Sequence, residues 1–208
     1  LFFNFNDLKP DDEGEDTISI HVDTNDAWAC MDMTLTKNDD ISCTEPELLD
    51  DQTCNDPDGD LLDGELGGIL QFLFWTDDGV IVFEEGEPVI TSGSASSVLD
   101  SSIILADSTS NNVGGTPGDP LAGGQTYNIG KAWCFGTLTQ TPLPAGIGVS
   151  PIVASGISCD GTASLCQDSG QVDSCYAVGG TPFSHPSGLG RDVIRYLNAI
   201  LDAGAQRS

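Results

Sequence analysis

The segment "NDPDGDLLDGE" gathers Asp56, Asp58, Asp60, Asp63 and Glu65 into one short stretch. Carboxylates at alternate positions of a tight loop can converge on one hard cation, and calcium takes six to eight such oxygens. The opening Asp-x-Asp-x-Asp matches an EF-hand loop, but Leu61 stands where that loop needs its turn glycine, and no Glu fills the twelfth position. Two readings follow: a calcium site of irregular geometry, or a solvated acidic loop. A second acidic group, Asp77, Asp78, Glu84, Glu85 and Glu87, surrounds "TDDG" and carries the same pair of readings. Like carboxylates held close together repel unless a cation sits among them, so calcium is the cofactor this pattern points to.

The rest of the chain sharpens the question. It holds 33 acidic and 6 basic residues, a formal net charge of −27. No Lys or Arg occurs between Asn38 and Gly130, nor from Ala132 to Gly190. Phosphate binding needs clustered basic residues, so no nucleic-acid partner is expected. Local ion pairs are equally out of reach for most of these carboxylates, which must face water, spread apart or hold cations.

Seven cysteines, at 30, 43, 54, 134, 159, 166 and 175, form no CxxC, and His21 and His185 are the only histidines. Zinc is therefore not expected, whereas disulfides in an oxidising compartment are. Cys43 and Cys54 flank a short acidic loop and read as a pair, worth roughly 2–3 kcal/mol by loop closure. Cys166 and Cys175 read as a local pair. Cys134, in "AWC", has two candidate partners, Cys159 and the Cys30 of "AWAC". The odd count leaves one thiol free, bonded to another subunit, or without its partner. The expected localisation is secreted, at the cell surface or in an extracellular matrix, with this chain a mature form. No apolar run approaches a membrane span in length. HExxH and GxSxG are absent and no nucleophile adjoins a plausible base, so the sequence does not read as an enzyme.

The elements that position these groups follow a period of two, the mark of strands. "DTISIHVD" puts Ile18, Ile20 and Val22 on one face and Ser19 and His21 on the other. "CMDMTLT" alternates likewise, while "ILQFLFW" is apolar on both faces, as in a strand buried between layers. Asp78-Gly79 predicts a hairpin into "VIVFEE". Further strands are expected in "PVITSG", "SSVLDSSIILA", "QTYNIGKAWCFGTL" and "SPIVASGIS", and a helical turn in "EPELLDD". Trp28, Trp75 and Trp133 are assigned to the core. Many short strands with Gly- and Pro-rich punctuation define an all-β fold, a jelly-roll or β-sandwich domain over 1–160 with long acidic loops. Residues 161–208 form a Cys-containing extension with a short amphipathic helix near 191–203. There Val193, Ile194, Leu197, Ile200 and Leu201 recur at helical spacing beside Arg191 and Arg195, with Arg207 beyond. That helix packs on its own domain or on a neighbouring molecule.

The first residues carry a resemblance. "LFFNFNDL" alternates aromatics with Asn, and "FNDLKPDDEGEDTISIHVDTNDAWACMDMTL" resembles the TasA/camelysin (CalY) family of SipW-processed secreted proteins, whose signature is strand, Leu-Lys-Pro-Gly-Asp, strand. "GKAWCFGTL" and "SGISCDGT" extend the similarity over roughly residues 1–162. The resemblance implies a jelly-roll domain that polymerises into biofilm-matrix fibres, a terminal strand of one subunit completing the sheet of the next. Leu1, Phe2, Phe3, Phe5 and Leu8 are then the polymer interface, and the partner is another copy of the chain. Pairing of 1–8 inside its own sheet is the other possibility for that strand. For the whole chain, the alternative is a calcium-stabilised surface or adhesive binding module. One departure bears on backbone geometry: Asp11 occupies the family's Gly position, where a type II turn requires positive φ.

Overall fold

The computed structural model describes residues 8, 11–38, 62, 64, 66–146 and 156–161. Residues 1–7, Asp56, Asp58, Asp60, Asp63, Glu65, Cys43, Cys54, Cys166, Cys175, the "EPELLDD" turn and the expected helix over 191–203 lie outside them.

The described chain is mostly antiparallel β-structure. Its strands are β1 (Glu13–His21), β2 (Ala29–Met33), β3 (Leu70–Asp77), β4 (Val89–Ser94), β5 (Ser101–Ala106), β6 (Thr126–Phe135), β7 (Thr137–Gln140) and β8 (Ile157–Asp160). Two single helical turns, α1 (Leu66–Ile69) and α2 (Ala95–Val98), precede β3 and follow β4. A four-stranded sheet has the order β1-β6-β3-β4, and two ribbons pair β2 with β5 and β7 with β8.

Alternation sorts the side chains as the sequence leads one to expect. Ile18 and Ile20 of β1 face Ile129 and Tyr127 of β6 across the ladder, the cross-strand apolar pairing that stabilises a sheet. On β3, Leu70, Phe72 and Phe74 are buried with Leu105 of β5, and Met31, Met33 and Ile103 of the β2–β5 ribbon pack against them. The intervening Leu73 and Trp75 belong to a separate cluster with Phe83, Ala132 and Ile157, joined by Leu138. The four-stranded sheet is thus covered on both faces, which is why β3 carries no polar alternation. Room for its large rings comes from glycine. A Cβ on Gly130 would fall inside the Trp75 indole, and one on Gly14 would lie 2.6 Å from Trp133 Nε1.

Three expectations are corrected. "VIVFEE" is not the second arm of a hairpin: β3 pairs with β4, and 78–88 is a connecting loop. Val82 and Phe83 are spent on the core instead, Phe83 meeting Trp75 edge-on at 5.4 Å between ring centroids. Trp28 is 54% exposed rather than core, because Ala27 and Ala29 take the inward positions of that alternation. Asp11 keeps the left-handed conformation of the family's glycine, with φ 73. Asp tolerates that region better than most residues, and the turn is fastened by Asp11 N–H donating to the Phe135 carbonyl at 3.1 Å and Phe135 N–H to that of Asp12 at 2.8 Å.

Candidate cation site

β3 ends on Asp77, which is 5% exposed. Its Oδ1 accepts hydrogen bonds from the backbone N–H groups of Gly79 at 2.9 Å and Val80 at 3.2 Å. Its Oδ2 accepts one from the Thr17 hydroxyl on β1. This capture of the next two N–H groups by an Asp side chain is an Asx-type turn, and it displaces the two-residue hairpin that Asp78-Gly79 predicts. Gly79 takes φ 106 and Ile81 φ 78. For a β-branched residue such as Ile81 that conformation is strained, and it is held by the burial of Val82 and Phe83 immediately after it.

The loop returns through Glu87. Its Oε1 accepts from Asp78 N–H at 3.0 Å and its Oε2 from Glu84 N–H at 2.8 Å. Asp77, Asp78 and Glu87 consequently bring one carboxylate oxygen each to within 4.8 Å of one another. Burial raises the Glu87 pKa from its ordinary 4.5; the N–H groups of Glu84 and Asp78 pull it back, and the charges of Asp77 and Asp78 push it up again. The triad can hold a metal ion. Its donors are all oxygen, the set that suits hard cations rather than zinc, and the hydrogen bonds to Asp77 and Glu87 fix their carboxylates in advance.

Of the acidic residues singled out in the sequence, Asp77, Asp78 and Glu87 come together. Glu84 does not join them: it is buried, and its Oε2 accepts from Gly146 N–H at 2.6 Å. Its backbone forms a parallel bridge to Leu143, which stitches the loop to the segment after β7. Glu85 is exposed. Thr17 is the site residue missed from sequence; it lies on the same polar face of β1 as Ser19 and His21, and that shared face was the available signal.

Elsewhere, Asp16 pairs with Lys131 at 3.0 Å, and that partner holds its pKa below the usual carboxylate value. Of the two partners open to Cys134, the disulfide is with Cys159, Cα–Cα 5.4 Å, joining β6 to β8. Cys30 is a free, exposed thiol. Among the described residues no helix is long and apolar enough to cross a membrane. No family model, curated protein or solved structure matches this chain.

Proposed function

We propose that this chain is the structural subunit of an extracellular, biofilm-matrix-type filament. In this reading a jelly-roll domain of the TasA/camelysin kind polymerises by donor-strand complementation, residues 1–8 entering a neighbouring copy. The observation that carries the proposal is Leu8. The last residue of the alternating "LFFNFNDL" run, it is buried in the main hydrophobic cluster at 6% exposure. It stands just before the left-handed turn at Asp11 and the strand β1, which forms one edge of the four-stranded sheet. An apolar strand next to a sheet edge supplies both halves of such a joint, backbone groups for pairing and alternate side chains for pockets. The Cys134–Cys159 disulfide agrees with an oxidising, extracellular setting. No catalytic role and no nucleic-acid partner form part of the proposal.

Negative-stain microscopy of the purified protein tests it, set against a Phe3→Asp, Phe5→Asp variant. Filaments from the parent and dispersed particles of equal melting temperature from the variant are expected. Dispersed particles from both, or filaments from both, would overturn it. A second reading, a calcium-stabilised surface or adhesive module, is favoured by the Asp77–Asp78–Glu87 triad. Its signature is a monomer whose melting temperature falls on addition of EDTA and recovers with calcium.

A further inference from the structure

The outer face of the β2–β5 ribbon is an unpartnered apolar patch. Along the strand and its approach Trp28, Cys30 and Asp32 are exposed while Ala29, Met31 and Met33 turn inward. Cys30 is the ladder partner of Ile104, which is 43% exposed. An indole, a thiol and a branched aliphatic side chain are thereby clustered on a sheet face, in a chain whose carboxylates had every opportunity to occupy it. Contiguous apolar patches of this kind mark places where something docks.

Charge selects among the occupants. Residues 1–190 hold three basic residues against thirty-one acidic ones, so another copy of the β-domain meets this face with like charge. Residues 191–208 hold Arg191, Arg195 and Arg207 against Asp192 and Asp202, the one stretch with a positive balance. The same stretch places Val193, Ile194, Leu197, Ile200 and Leu201 at helical spacing. Reach is ample. Residues 162–190 span up to about 95 Å when extended, whereas a domain of this size has a radius of gyration of only about 15 Å.

We propose that residues 191–203 of the same molecule dock as an amphipathic helix on Trp28, Cys30 and Ile104. Val193, Leu197, Ile200 and Leu201 cover the patch, and Arg191 sits toward Asp32. The free Cys30 thiol is then shielded by the chain's own C-terminal segment.

Cys30 reports on this directly. The full-length protein is labelled with a bulky maleimide and the label is assigned to Cys30 by peptide mapping. Labelling in the parent is expected to be at least about tenfold slower than in a Leu197→Glu, Ile200→Glu variant. Because that pair of changes could disturb folding, an Ile104→Ser variant is run beside it. It alters only an exposed position, and it too should speed Cys30 labelling severalfold with the melting temperature unchanged. Equal Cys30 rates in all three proteins would overturn the proposal. So would protection in the parent that disappears on dilution, since the cover would then be a second copy.

Discussion

Asp77 accepts from Gly79 and Val80 with one oxygen and from Thr17 with the other, so its position is set before any cation arrives. Asp78 and Glu87 are brought to it by the backbone, and the three charges repel. Because the folded pKa of Glu87 lies above its ordinary 4.5, ionised Glu87 opposes folding at neutral pH. That opposition fades as pH falls through the raised folded value. Asp16 has the opposite sign: its pKa is lowered by Lys131, so its contribution is present above the ordinary 3.8 and is lost as pH drops through the folded value. Asp78→Asn removes one of the repelling charges while keeping an acceptor for Val80 N–H, which lies 3.2 Å from Asp78 Oδ1. In EDTA at pH 7 this variant is expected to melt about 2 °C higher, the equivalent of about 0.5 kcal/mol. The difference should narrow as pH approaches 4.5. With millimolar calcium the order should reverse, the parent gaining stability and the variant gaining little. An equal calcium response in both proteins would remove the triad as a cation site. Gly130 offers a second check at this scale. With Trp75 fully buried over it, Gly130→Ala should cost about 2 kcal/mol through overpacking, read as a lower denaturation midpoint at constant slope.

Among the elements, β8 is held by few means: its ladder to β7, the Gly161 N–H bond to Asp11 Oδ1, and the Cys134–Cys159 disulfide to β6. The disulfide closes a sequence separation of 25, which the loop-entropy relation converts to about 3.5 kcal/mol. Cys134→Ala, Cys159→Ala is therefore expected to lower the melting temperature by roughly 10 °C. In hydrogen exchange the amides of β7 and β8 should lose protection before those of β1, β6 and β3. An unchanged melting temperature would show that β8 is kept in place by packing alone. The strands were legible to different degrees for physical reasons. β3 announced itself because both faces of "LQFLFW" are buried, leaving no polar alternation to mimic a helix. β1 was legible through Ile18 and Ile20. The hairpin at Asp78-Gly79 was not, since local propensity cannot tell a two-residue turn from one in which Asp77 seizes the following N–H groups. Trp28 misled for a related reason: residue type favours the core, but neighbouring Ala27 and Ala29 fix the phase of the strand. Asp78 and Glu87 were legible as acids, yet only the return of the loop puts them beside Asp77.

For the molecule as a whole, −27 formal charges on 208 residues make self-repulsion a property that no single pair governs. The described basic residues relieve little of it: Lys131 is nearly buried and committed to Asp16. Screening should therefore stabilise the fold. The Debye length shrinks from about 30 Å at 0.01 M salt to about 3 Å at 1 M, so carboxylates on neighbouring loops cease to feel one another across that range. The melting temperature is expected to climb by several degrees from low salt to 1 M sodium chloride in the presence of EDTA. Because the effect belongs to the whole surface, Asp78→Asn should show nearly the same climb as the parent, while its response to calcium is lost. That contrast separates diffuse screening from occupation of one site. A flat or falling salt curve would mean that the exposed carboxylates are already far enough apart for water alone to separate them. The charge would then owe nothing to cations, and the calcium response of the triad would have to stand by itself.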